Sequence, residues 1–213
     1  VPKSLRLLTH RIRSRKADGN GIHSPFLYRF ITVVLDHRHP FYPFEELALL
    51  EDMTGSKARA NRLSNQLLFR IAHDQRPTSA VLMGDGADTS ARYLQKACPG
   101  THLHCSEKQE FSPSELEAFL RENAPIDLLL FSQVRTWEES WAAWLSCRAY
   151  TQSQSVVAVY HPHQNKASRA FWKALRHDPE VRVSLDLGEL GLLLFRQELP
   201  QKHLRLRIKH QHP

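Results

Sequence analysis

The chain has 213 residues, 41% of them hydrophobic and 24% charged, with a formal net charge of +7. That is ordinary globular composition, which excludes a disordered polymer, and no apolar run nears the roughly 20 residues of a membrane helix. Three cysteines without metal-type spacing point to reduced thiols and a cytoplasmic protein, and the basic start, Val1 to Lys16, is too poor in apolar residues for a signal peptide.

In chain order, helices come first. Ser24 can cap a helix with Pro25 at its first position, and Phe26, Leu27, Phe30, Ile31, Val34 and Leu35 follow at helical spacing. Further helices are expected over Phe44–Met53 and Ala58–His73, and Pro77 closes the region. Residues 1–77 therefore read as a helical N-terminal extension to a domain of residues 78–213. From there strands alternate with helices. Strands are predicted over Ala80–Met83, Thr101–Cys105, Ile126–Phe131 and Ser155–Tyr160, and helices over Thr89–Cys98, Ser114–Asn123, Trp137–Tyr150 and Lys166–His177. Such alternation predicts βαβ units and a parallel sheet. Val181 to Leu187 then alternates, turns at Gly188-Glu189-Leu190-Gly191 and returns over Leu192–Gln197, an antiparallel hairpin expected to end the sheet. A last alternating stretch puts Leu204, Leu206 and Ile208 toward the sheet packing and Arg205, Arg207 and Lys209 toward solvent, which suits an edge strand. The basic ends leave two readings open, simple solubility or contact with RNA or a protein partner.

Chemistry concentrates where the first strand ends, in Gly84-Asp85-Gly86-Ala87-Asp88. A Gly-x-Gly turn between strand and helix lets a ligand approach the backbone and the unpaired N–H groups of the helix. Two carboxylates in the turn disfavour a pyrophosphate. A ligand with a positive centre and a ribose, such as S-adenosylmethionine, suits it better, and a turn without a ligand is the alternative. Asp88 is expected to cap the helix at Ser90 or Ala91. His161 and His163, after the strand ending at Tyr160, are general-base candidates or plain surface residues. His102 with His104, and His37 with His39, have no third ligand at a spacing that zinc would use. Trp137, Trp141 and Trp144 fall on one helix face as a packing stripe.

Several segments carry a resemblance. Gly21-Ile22-His23-Ser24-Pro25-Phe26 resembles the "HGxHSPF" opening of a bacterial group of small class I S-adenosylmethionine-dependent methyltransferases. Leu67-Leu68-Phe69-Arg70 is similar to their "LLFR" segment, and Ser184-Leu185-Asp186-Leu187-Gly188-Glu189-Leu190-Gly191-Leu192 to the final hairpin. The resemblance implies a Rossmann-like α/β sheet, methyl transfer to an unknown small substrate, and a cofactor contacted by Gly84, Asp85, Gly86, Glu107 and Ser132, with Glu107 at the ribose hydroxyls. His161 or His163 would then be the catalytic base. The chain departs from the pattern at Leu82, Asp88, Ser132 and His161–Asn165, where acidic residues or glycine are usual. Only 19 residues separate Glu107 from Asp127. A crossover of roughly 10–12 residues on each side of a strand cannot fit there, so the third strand of the family sheet is expected to be missing. These departures leave weakened methyl transfer and an inactive scaffold as competing expectations.

Overall fold

The computed structural model describes residues 15–16, 22–54, 61–106 and 113–208. Its elements are β1 (Arg15–Lys16), α1 (Pro25–Arg29) running into a π-helical turn (Phe30–Leu35), α2 (Pro43–Thr54), α3 (Arg62–Gln75), β2 (Ser79–Met83), α4 (Ala87–Ala97), β3 (His102–Ser106), α5 (Pro113–Asn123), β4 (Ile126–Phe131), α6 (Trp137–Arg148), β5 (Thr151–Tyr160), α7 (Lys166–Leu175), β6 (Val183–Asp186), β7 (Leu190–Leu194) and β8 (Lys202–Arg207). The sheet order is β1-β8-β6-β7-β5-β4-β2-β3. β2, β3, β4 and β5 are mutually parallel, as the alternation predicted. β7 is antiparallel to both β5 and β6.

The strands form because they are apolar on both faces. β2 is buried at every residue, and so are β6 and β7. Alternate residues serve two separate cores. Ala80, Leu82, Leu128, Leu130 and Ala158 face α3, α4 and the π-helical turn. Val81, Met83, Leu129, Phe131, Val157 and Val159 face α5, α6 and α7. A parallel sheet covered by helices on both faces requires this two-sided hydrophobicity. The predicted tryptophan stripe packs as expected. Trp144 is buried and stacks on Phe195, while Trp137 and Trp141 stack on each other.

Helix starts follow their capping residues. The Ser24 hydroxyl accepts from Leu27 N–H with Pro25 next in line, Thr136 accepts from Glu139, and Asn165 accepts from Ser168. Between β3 and β4 the described residues hold α5 and no strand, in keeping with the missing crossover.

Two expectations fail at the other flank. The hairpin does not end the sheet, because β8 adds in parallel to β6. Nor is β8 the edge, because Arg15 and Lys16 pair with Leu206 and Arg207. A two-residue basic strand leaves no periodic signal in sequence. Leu206 and Ile208 are buried as expected, but Arg205 turns back to the buried carboxylate of Asp186, with Nε–Oδ2 at 3.0 Å. Lys209 lies outside the described residues.

Candidate active site

β2 has β3 on one side and β4 on the other, so the chain leaves the C-terminal end of β2 where the strand order reverses. Ligand crevices of open α/β sheets form at such a point. The two glycines of the turn differ. Gly84 (φ 104°) donates its N–H to Ser106 O at 2.9 Å. A Cβ on it would meet Gln133 N at 2.8 Å, Gln133 O at 2.9 Å and Ser132 Oγ at 3.0 Å. Gly84 is therefore required by the backbone that follows β4. Gly86 (φ 81°) is the N-cap of α4, and a Cβ there would meet a side-chain tip, Asn61 Nδ2, at 3.3 Å. This second glycine is bounded by a side chain rather than by backbone.

Ser132 braces the turn from below. Its N–H donates to Met83 O at 2.8 Å, and its hydroxyl lies 3.0 Å from Met83 O and 2.9 Å from Asp85 O. Asp85 forms an ion pair with Arg135. Asp88 is not the helix cap that the sequence suggested. α4 begins at Ala87, Ser90 N–H donates to Gly86 O at 3.1 Å, and the Asp88 carboxylate accepts from the Cys105 thiol at 3.2 Å. With glycine as N-cap, no side chain caps the helix.

Above the turn lies a buried polar cluster that the sequence reading missed. Asn65 Oδ1 accepts from Ser90 Oγ at 2.8 Å and from Tyr160 Oη at 2.8 Å. Asn65 Nδ2 donates to Glu51 Oε1 at 3.1 Å, and Arg62 Nε reaches Glu51 Oε2 at 2.7 Å. Each buried group thus has a partner, as burial of polar atoms demands. Burial pushes the Tyr160 phenol far above its ordinary range, so it stays a donor. The one available signal was the polar run Ser64-Asn65-Gln66 inside α3, which is buried where an amphipathic helix would show solvent.

The two candidate histidines diverge. His161 Nε2 lies 2.7 Å from Asn61 Oδ1, and its Nδ1 lies 2.6 Å from Glu189 Oε2. Through Asn61 it therefore adjoins Gly86. His163 Nε2 instead meets Asp186 Oδ2 at 2.9 Å, a carboxylate it shares with Arg205. The structure thus gathers Gly84, Asp85, Gly86 and Ser132 in one turn, brings His161 to it, and holds His163 elsewhere. Glu107 lies outside the described residues; Ser106, just before it, is the partner of Gly84. Among the described residues, no group of three or more His, Cys, Asp or Glu is placed to hold a metal ion, and no helix is long and apolar enough to cross a membrane.

No protein-family model matches the chain, and no curated protein matches its sequence. Solved structures do match its fold. An SAH-bound methyltransferase from Podospora anserina superposes with a TM-score of 0.55 at 11% identity, over 82% of this chain and 97% of that one. An O-methyltransferase from Streptomyces achromogenes in complex with SAM gives a TM-score of 0.47 at 14% identity, over 78% and 93%. One from Bacillus cereus in complex with SAH gives 0.47 at 10% identity, over 78% and 95%. The chain has the class I methyltransferase fold.

Proposed function

We propose that this chain is an S-adenosylmethionine-dependent methyltransferase acting on a small nucleophile. The reading is carried by one observation: at the point where the strand order reverses, α4 begins at Gly86 with no side-chain cap, and His161 lies beside that glycine through Asn61. Helix amides with no side-chain cap suit a carboxylate such as the cofactor's, and Gly86 allows close approach. In this reading Gly86 and the first turn of α4 hold the carboxylate, Asp85 faces the amino group, Glu107 takes the ribose hydroxyls, and Gly84 and Ser132 keep the turn in shape. The bound cofactor would supply a methyl group on a sulfonium centre. His161 is the base that receives the acceptor's proton, and His163, tied to Asp186, steadies the loop. In this reading the helices α1, α2 and α3 within residues 1–77 belong to an extension of the domain over residues 78–213. The three cysteines are free thiols, which fits a cytoplasmic setting.

Titration calorimetry with S-adenosylmethionine and S-adenosylhomocysteine tests the reading. Weak binding is expected from the native chain, because Asp88 adds negative charge beside the carboxylate site. Asp88→Gly removes that charge and should tighten binding several-fold, and Glu107→Ala should abolish it. If neither the native chain nor Asp88→Gly binds at millimolar concentration, the enzyme reading fails. An inactive scaffold that contacts RNA or protein through its basic ends then takes its place.

A further inference from the structure

The face of the sheet that carries α7 becomes strongly basic beyond that helix. α7 packs over β7, where the Trp172 ring lies on Gly191, and β8 is two strands further out. Leu204 and Leu206 turn to the opposite core, so His203, Arg205 and Arg207 project on the side of α7. Lys16 of β1 is in register with Arg207 and continues the row. α7 contributes Lys166, Arg169 and Lys173, then its C-cap Arg176 and the following His177, and no acidic residue. The rings of His177 and His203 lie 6.3 Å apart and join helix to strand.

Two ordinary reasons for basic residues do not account for this surface. Cations at a helix C-terminus offset its dipole, and His177 does so, its Nδ1 donating to Lys173 O at 2.6 Å. Arg176 does not. Its Nε is buried without a hydrogen-bond partner, its guanidinium has no ion pair among the described residues, and it lies 5.7 Å from the centre of the Trp172 ring. Burial lowers its pKa and the charge of Arg205 adds to the effect, against a smaller opposing pull from Asp186. Basic residues also guard sheet edges, but β1 covers that side of β8. The acids of β6 and of the turn after α7 are engaged. Asp186 meets His163, Arg205 and the Gly188 N–H, while Asp178 and Glu180 pair with Arg148.

We propose that Arg176, His203, Arg205 and Arg207 form a docking surface for a single-stranded nucleic acid, with Arg176 as its central phosphate contact. A guanidinium fork matches phosphate oxygens, and one held half-buried without an acceptor gains most from an anion. Alternate residues of a strand stand about 6.6 Å apart, so the row offers repeated charges to a chain of phosphates rather than one site to one ion. A sheet face has no element that enters the groove of a duplex, whereas the exposed His177 and His203 rings are flat supports for unstacked bases. A protein partner would want an apolar anchor. None of the large apolar side chains exposed among the described residues, such as Tyr42 and Met53, lies on α7, β6 or β8. The surface is independent of the methyl-transfer reading, because β7, β5 and β4 separate β6 and β8 from the turn after β2.

Fluorescence anisotropy of the full chain with a labelled oligouridylate RNA of about 12 nucleotides, within the usual site size for single strands, is the test. At low salt the native chain should bind, and the affinity should fall with salt by a slope of about −0.7 per phosphate contacted. Arg176→Gln and Arg207→Gln remove charges that hold no ion pair among the described residues. Each should weaken binding several-fold and make the slope shallower by about 0.7. Arg92→Gln removes an exposed charge from α4, on the opposite face of the sheet, and should leave both quantities unaltered. Absence of binding by the native chain overturns the proposal, as do folded Arg176→Gln and Arg207→Gln variants with native affinity. An equal loss in Arg92→Gln also overturns it, by assigning the binding to net charge alone. So does polyglutamate that displaces the RNA as readily as unlabelled RNA does, or a duplex of equal length that binds more tightly. RNA binding by a chain that binds no S-adenosylhomocysteine fails the methyl-transfer reading and leaves this surface standing.

Discussion

The two flanks of the sheet are built to different standards. On one side β3 has, among the described residues, a single strand partner, β2, and its residues range from exposed to half-buried. On the other, β6 and β7 are buried at every residue, and β8 and β1 extend the sheet further. The turn proposed to bind a ligand leaves β2, which is buried throughout but lies one strand in from the thin flank. Burial is weakest at β3, beside it. The chemistry of the site can drift without unfolding the molecule, because apolar area removed from water is the main stabilising contribution and little of it is at the β3 edge.

The largest expected effect tests this contrast. Trp172, 1% exposed, packs its ring against Gly191 of β7, where a Cβ would meet ring carbons at 2.8 Å. Trp172→Ala should cost about 3–5 kcal/mol in urea unfolding. Leu103→Ala on β3, where the side chain is only partly buried, should cost about 1–2 kcal/mol, below the usual range for a fully buried leucine. Equal losses would remove the distinction between the flanks.

The two glycines sharpen it at the site itself. Gly84→Ala combines a positive φ with collision against the Gln133 backbone and should cost about 2–4 kcal/mol. Gly86→Ala meets only the Asn61 amide and should cost about 1–2 kcal/mol, the strain of the left-handed conformation. Its main effect should appear as weakened S-adenosylhomocysteine binding by calorimetry, with a melting temperature that falls less than for Gly84→Ala.

A pH measurement probes the well-built flank. Burial alone would raise the Asp178 carboxyl, but hydrogen bonds from Arg148 and from the Glu180 N–H outweigh it and hold it below the usual carboxylate range. A depressed folded value gives stability that is present above the unfolded value, about 3.9, and lost as pH falls through the lower folded value. Asp178→Asn should therefore cost about 1–2 kcal/mol at neutral pH, and the gap to the native chain should close at strongly acid pH. A gap that persists at low pH would assign the loss to packing instead.

The smallest effect is expected where α7 begins. Asn165→Ala removes an oxygen that accepts from Ser168 N–H at 2.7 Å and an amide that donates to Val134 O at 3.0 Å. Thermal unfolding should show a loss of about 1 kcal/mol. A clearly larger loss would mean that the loop after β4 depends on this residue as well.

Most of the fold was legible because its strands are apolar runs between capped helices. The predicted strand at Ile126–Phe131 coincides with β4, and the one at Thr101–Cys105 is displaced by a single residue. β5 starts at Thr151, four residues before the predicted Ser155, because Gln152, Ser153 and Gln154 are exposed and polar and give no hydrophobic signal. The π-helical turn at Phe30–Leu35 has no signature distinct from an α-helix, since a run of apolar residues is compatible with either winding. At the site, the glycines and His161 were visible as residue types placed after strands. Asn61, Glu51, Asn65 and Glu189 were not, because each looks like a surface residue until a distant element covers it.

Sequence alone determined the alternation of strand and helix, the final hairpin and the shortened crossover, because periodicity, capping and chain length are local quantities. Only the tertiary structure decided that Gly84 packs on backbone while Gly86 faces a side chain, that Ser132 braces the turn, and that His161 rather than His163 comes beside Gly86 through Asn61. Those outcomes depend on contacts such as Asn61 with His161 and Ser132 with Asp85, between residues far apart in the chain. No local pattern encodes such a contact; it exists once two-sided burial of the sheet has fixed where each loop must end.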